Sequence, residues 1–132
     1  MSGKFQMHRS QLAGFIIDCQ TQDLEAAAQF WGDALGLSAV PEQDPQESAY
    51  IELRTRPEEV FIEVQKVDHA SRVHLDIETD DIPAEVARLE SLGAKRIAEI
   101  RRWVVMEAPT GQRFCVVKPI RENFERDANR WE

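Results

Sequence analysis

Arg72-Val73-His74-Leu75-Asp76-Ile77-Glu78-Thr79-Asp80-Asp81-Ile82-Pro83 is the stretch whose reading decides the fold. Val73, Leu75 and Ile77 alternate with His74, Asp76 and Glu78, the period-two pattern of a half-buried strand. Asp80 or Asp81 then offers a carboxylate to cap a helix with Pro83 in its first turn. Phe15-Ile16-Ile17-Asp18-Cys19-Gln20-Thr21-Gln22-Asp23-Leu24 has the same design. Laid over each other without gaps, the two stretches match at Asp18/Asp76, Thr21/Thr79, Asp23/Asp81 and Ala26/Ala84, at a constant offset of 58 residues. The chain reads as one unit written twice.

Working outward, residues 1–10 read as a loose polar leader and 12–19 as the first strand. Asp23 caps a helix to about Leu35, with Leu24, Ala27, Ala28, Trp31 and Leu35 as its apolar stripe and Gly36 as its stop. Ser38–Pro41 is a short extended piece, Glu42–Glu47 a polar loop that reads as a variable lid, and Ala49–Thr55 and Val60–Val67 are strands. After a linker at 68–71 the order repeats. Residues 72–78 form a strand and 82–92 a helix with the stripe Val86, Leu89 and Leu92, stopped by Gly93. Three strands follow at Lys95–Ile100, Trp103–Glu107 and Arg113–Lys118. Module one spans about 11–67 and module two about 72–118, within a single domain of 1–132. Residues 119–132 form a charged tail, a short docking helix or a frayed end.

Each βαβββ unit is too small to bury its sheet alone. The expected fold is therefore α+β, with two modules forming a curved, cup-shaped mixed sheet and both helices on its outer face. Phe15, Ile17 and Cys19, then Val73, Leu75 and Ile77, are expected to pack on the helices. Phe30 and Trp31 are expected in the core.

The bulk numbers narrow the function. At 132 residues, 42% hydrophobic and 30% charged, the chain has the make-up of a soluble domain. A net charge of −8 argues against nucleic acid or anionic membrane as partner, since both need a basic face. No apolar run approaches membrane-spanning length and no signal core opens the chain, so the expected location is cytoplasmic. Cys19 and Cys115 sit in apolar strand patterns and read as reduced, buried thiols.

Three motifs carry a family resemblance: Asp23-Leu24-Glu25…Phe30-Trp31…Leu35-Gly36-Leu37, His74-Leu75-Asp76-Ile77-Glu78-Thr79-Asp80-Asp81…Leu89…Leu92-Gly93-Ala94, and Pro109-Thr110-Gly111-Gln112-Arg113-Phe114. With the paired modules they resemble the vicinal oxygen chelate superfamily, which includes glyoxalase I, extradiol dioxygenases and bleomycin-resistance proteins. The resemblance implies the glyoxalase-like fold and a homodimer. It leaves the reaction open, because this fold hosts lyases, dioxygenases, isomerases and plain binding proteins. In metal-bearing relatives the ligand positions correspond here to Ile16, Glu63, His74 and Cys115. Only Glu63 and His74 keep a usual metal ligand.

Strand parity lists Ile16, Asp18, Tyr50, Glu52, Phe61, Glu63, His74, Asp76, Trp103, Arg113 and Cys115 on the inner face, a mix of aromatic walls and a few polar groups suited to a small-molecule pocket. His74 and Glu63 are the candidate catalytic pair and the two candidate metal ligands. Tyr50, Phe61, Asp76, Trp103, Arg113 and Cys115 are the candidate ligand contacts. His74 has three readings: metal ligand, metal-free acid or base, or a histidine that only hydrogen-bonds. Cys115 reads as an inert thiol rather than a nucleophile, and Trp103 as a pocket wall or a dimer contact. Asp18 and Asp76, matched in both modules, read as structural. His8 and His69 receive no role. The expectation is a protein that binds a small molecule without the full metal-ligand set. The alternative is a metal-dependent lyase, isomerase or dioxygenase acting on an oxygenated metabolite with Zn, Ni, Fe or Mn.

Overall fold

A computed structural model describes residues 7–40 and 48–132. The expected lid at Glu42–Glu47 lies outside the described residues. The chain divides into two compact units, Gly14–His74 and a second formed by the residues up to Ala13 with Leu75–Glu132.

In the first unit the later part of β1 (His8–Gln20) leads to α1 (Leu24–Leu35), β2 (Ser38–Val40), β3 (Tyr50–Arg54) and β4 (Phe61–Val67). Its strand order is β2-β3-β4-β1, with β1 parallel to β4 and the other pairs antiparallel. In the second unit the later part of β5 (Arg72–Thr79) leads to α2 (Ile82–Ser91), β6 (Lys95–Ile100), β7 (Trp103–Glu107) and β8 (Arg113–Val117), while Arg72–His74 at the start of β5 belong to the first. The order is β5-β8-β7-β6, again with the first and last strands parallel. The fold is α+β and is built from two βαβββ units, as the repeat predicts.

The residues shared by the two stretches are the helix starts. Asp23 Oδ1 accepts from the Ala26 amide at 3.0 Å, and Asp81 Oδ1 from the Ala84 amide at 3.1 Å. Thr21 Oγ1 accepts from the Asp23 amide at 3.0 Å, and Thr79 Oγ1 from the Asp81 amide at 3.1 Å. Thr-x-Asp-x-x-Ala is therefore a two-step cap that satisfies amides which the first helical turn leaves unpaired. Asp81, rather than Asp80, is the cap. Gly36 ends α1 with φ 72, a left-handed conformation that costs glycine nothing.

Each helix packs on one face of its own strands. In the first unit Cys19, Leu24, Ala28, Leu53 and Val64 form the core, with Ile17, Trp31, Ile51 and Ile62 against it. In the second, Val86, Leu89, Val104, Met106, Phe114 and Val116 do so, with Ile77 alongside. Several apolar residues expected inside are outside. Val73 and Leu75 are 59% and 41% exposed: α2 packs over β6, β7 and β8, and of β5 only Ile77 joins its core. Leu35, Phe30 and Leu92 are exposed as well. The α1 stripe runs through Leu24, Ala28 and Gly32, so Phe30 keeps only an edge contact with Trp31, and Leu92 falls just past the end of α2.

Residues 8–10 and the C-terminal tail are more ordered than their composition implies. β1 starts at His8, inside the expected leader, and the tail forms α3 (Phe124–Asp127) and β9 (Asn129–Trp131). Residues 8–10 pair with β9. Glu78, fully buried, accepts from the Ile120 and Arg121 amides at 2.6 and 3.0 Å and from Gln11 Nε2 at 2.6 Å, fixing the tail's first turn. His8 Nε2 lies 2.7 Å from Oε1 of the buried Glu85, which also takes the Arg88 guanidinium through both oxygens. Arg88 stacks on Trp131 at 3.9 Å, and Trp131 Nε1 donates to Ser10 Oγ at 2.8 Å. Phe124, 3% exposed, supplies the apolar anchor. His8 is thus a buried structural group whose long-range partner no local pattern discloses.

Candidate functional site

β1 alternates Ile17 and Cys19 toward α1 with Ile16 and Asp18 on the other face. On that second face the register sets Asp18 beside Gln65 and Gln65 beside Tyr50, one polar row across three strands. Gln65 Nε2 donates to the Tyr50 hydroxyl at 3.0 Å. The next row is Ile16, Glu63 and Glu52.

The beginning of β5 completes the polar row. His74 Nδ1 lies 2.8 Å from Asp18 Oδ2. The Asp18 side chain is 2% exposed and that of His74 13%. A carboxylate oxygen accepts, so Nδ1 is the donor of this bond. Asp18 Oδ1, equally buried, has no hydrogen-bond partner among the described residues. Its charge rests on the groups at Oδ2: the imidazole and, at 3.6 Å, Arg72 Nε. Burial, and secondarily the Asp18 charge, push the neighbouring Cys19 thiol above its ordinary range, so that thiol stays protonated and inert.

Arg72 reaches further. One of its terminal nitrogens is 3.4 Å from His69 Nε2, while His69 Nδ1 lies 2.9 Å from the Ala70 carbonyl. Both contacts are met when His69 is protonated on Nδ1 and accepts on Nε2. His69 in turn lines an open depression of about 760 Å³ with Gln20, Thr21, Gln65, Lys66 and Asp68. Sequence reasoning gave no part to Arg72 or Gln65. Arg72 shares the side-chain parity of His74 and was legible on that ground.

In the second unit, Asp76 sits opposite Cys115 in the β5–β8 register and is buried. Arg113 pairs with Glu107 across β7 and β8 at 3.5 Å, and Trp103 lies under Arg101 at 6.0 Å. Asp76 repeats Asp18, so Cys115 repeats Gln65. Two residues earlier on each strand, Arg113 is then the counterpart of Glu63.

The register tests the metal expectation. The partner of Glu63 in register is Ile16, a hydrocarbon 2% exposed. Of the four expected places only Ile16 lacks a donor atom, while Glu63, His74 and Cys115 each carry one. The role of each residue is derived below without a metal ion.

Paired βαβββ units are the fold of the vicinal oxygen chelate proteins that the sequence resembles. The chain belongs to the glyoxalase-like domain family, whose sequence model matches residues 14–117. Among solved structures it resembles methylmalonyl-CoA epimerase from Mycobacterium tuberculosis, at 20% identity and TM-score 0.61, over 83% of this chain and 87% of that one. A glyoxalase/bleomycin resistance/dioxygenase superfamily member from Vibrio splendidus 12B01 matches at 16% identity and TM-score 0.53, over 83% of this chain and all of that one. An extradiol ring-cleaving dioxygenase from B. fuscum matches at 16% identity and TM-score 0.56, over all of this chain and 36% of that one. No curated protein matches. Identities this low establish a shared fold alone. Among the described residues no helix is long and apolar enough to cross a membrane.

Proposed function

We propose that the chain binds a small organic molecule on the face of the first unit turned away from α1, with His74 as its principal polar contact. The observation that carries this reading is the 2.8 Å bond between His74 Nδ1 and the buried Asp18. Holding one ring nitrogen against a buried carboxylate fixes the orientation of the whole imidazole. Tyr50, Gln65 and Glu63 supply polar contacts of known register, and Phe61 an aromatic wall. In the second unit Asp76, Trp103, Arg113 and Cys115 present the corresponding face.

A second reading is favoured by the same pair. A neutral imidazole oriented by a carboxylate is a general base, and it could take a proton from a carbon acid and return it, as an isomerase does. Binding needs only the hydrogen bond; isomerisation needs turnover.

The test is a titration of isotope-labelled protein with a library of small oxygenated metabolites, read by NMR. Saturable shifts confined to β1, β3, β4 and His74, and lost in His74→Ala, support the binding site. Shifts elsewhere with this face silent overturn it. Deuterium uptake from solvent by a bound compound, abolished in His74→Ala, selects the catalytic reading.

A further inference from the structure

We propose that Arg72 anchors a carboxylate of the bound molecule, so that the ligand class of this site is organic acids. The inference rests on the binding face assigned above and names what that face selects.

Arg72 and His74 are two residues apart on β5, where alternation puts both side chains on one face. Both reach the same oxygen, Asp18 Oδ2, at 3.6 and 2.8 Å. The distances differ in meaning. A committed guanidinium–carboxylate pair closes to about 2.8 Å and is commonly bidentate. Arg72 stops well short, and its other contact, to His69 Nε2, is at 3.4 Å. A fork of five N–H donors is thus held in place by two long contacts, with the side chain 48% exposed. Asp18 positions the guanidinium without consuming it.

The chain as a whole is at −8, which does not favour an anion. Beyond about 8 Å, however, salt screens that field, and the groups at hand decide. Around Arg72 these are the buried Asp18 carboxylate, the His74 and His69 rings and, in the depression that His69 lines, Lys66 and Asp68, so it is the exposed guanidinium fork rather than a surplus of positive charge that selects an anion. The exposed carboxylate in the β4–β3 rows, Glu52, lies two strands beyond β1, opposite Glu63. An organic acid would place its carboxylate at the β5 end, on Arg72, and its adjoining carbon or oxygen beside His74.

The test uses benzoate and benzamide, which share shape and differ in charge, each titrated into labelled protein while the Arg72 Nε–H and His74 ring signals are followed. Benzoate is expected to move both signals saturably and to bind at least about tenfold more tightly than benzamide, the worth of one charged hydrogen-bonded contact. Arg72→Gln should abolish that preference and Arg72→Lys should keep part of it. Equal binding of the two probes, or an unchanged preference in Arg72→Gln, overturns the proposal while leaving the binding face intact. If the metabolite library also finds no ligand on this face, both readings fall together.

Discussion

The imidazole of His74, on the strand that opens the second repeat, is bonded at 2.8 Å to the carboxylate of Asp18, on the strand that opens the first. Asp18 has lost 98% of its exposure, and one of its oxygens has no hydrogen-bond partner among the described residues. Such a carboxylate depends on the imidazole and the guanidinium around its other oxygen. The pair therefore holds the His74 ring in place, and in the reading proposed here it is the chemical centre of the site.

Replacing Asp18 by Asn keeps the shape and removes the obligatory acceptor. In the native protein the ¹⁵N shifts of the neutral His74 ring should show one tautomer, protonated at Nδ1. In Asp18→Asn the two tautomers should mix, because an amide can donate as well as accept. Ligand affinity should fall by roughly tenfold as the ring loses its fixed aim. A variant that still shows the single Nδ1-protonated tautomer would contradict the assignment.

Glu85 sets an acid dependence. Burial alone would raise its carboxyl, but hydrogen bonds from Arg88, His8 and Ser10 outweigh burial and hold it below the ordinary carboxylate range. A group depressed in the folded state contributes its full stability above the unfolded value and loses it as pH falls through the folded one. Glu85→Gln should therefore cost about 3 kcal/mol at neutral pH, the toll of stranding the Arg88 guanidinium. The gap from wild type should narrow on acidification below the carboxylate range. Urea melts across that range give the answer, and a gap that widens toward acid would be the wrong sign.

Gly14 is fixed by contact with the next strand. A Cβ there would lie 2.1 Å from the Phe61 carbonyl oxygen, its neighbour in the β1–β4 register. Backbone cannot move aside as a flexible side chain can. Gly14→Ala should cost about 3 kcal/mol or more in thermal or denaturant unfolding. A neutral substitution would mean that the two strands are not this close.

Metal content is a separate check. With the hydrocarbon Ile16 at one of the four expected ligand places, protein purified without chelator or affinity metal should carry well under one equivalent of zinc, nickel, iron or manganese. Near one equivalent, removed by His74→Ala, would restore the metalloenzyme alternative.

Much of this was legible in the sequence because local rules wrote it twice. The Thr21/Thr79 and Asp23/Asp81 matches are helix caps, and strand alternation separated Asp18 and Glu63 from Cys19 and Val64 correctly. What escaped was set by long-range partners. His8 meets Glu85 across 77 residues, and Trp131 meets Ser10 across 121, so residues 8–10 and part of the charged tail are strands. Val73 and Leu75 alternate as core residues do, yet they stay exposed because α2 packs farther along its unit, over β6 to β8. Asp18 was visible as a repeated residue, but a repeat favours a structural reading over its role as the partner that aims His74.

The most direct measurement follows the His74 ring nitrogens by NMR as a ligand that saturates the protein is added. The account predicts that the Nε2 signal shifts in step with saturation while Nδ1 stays protonated against Asp18. A ligand that fills the protein and leaves both nitrogens unmoved would contradict it.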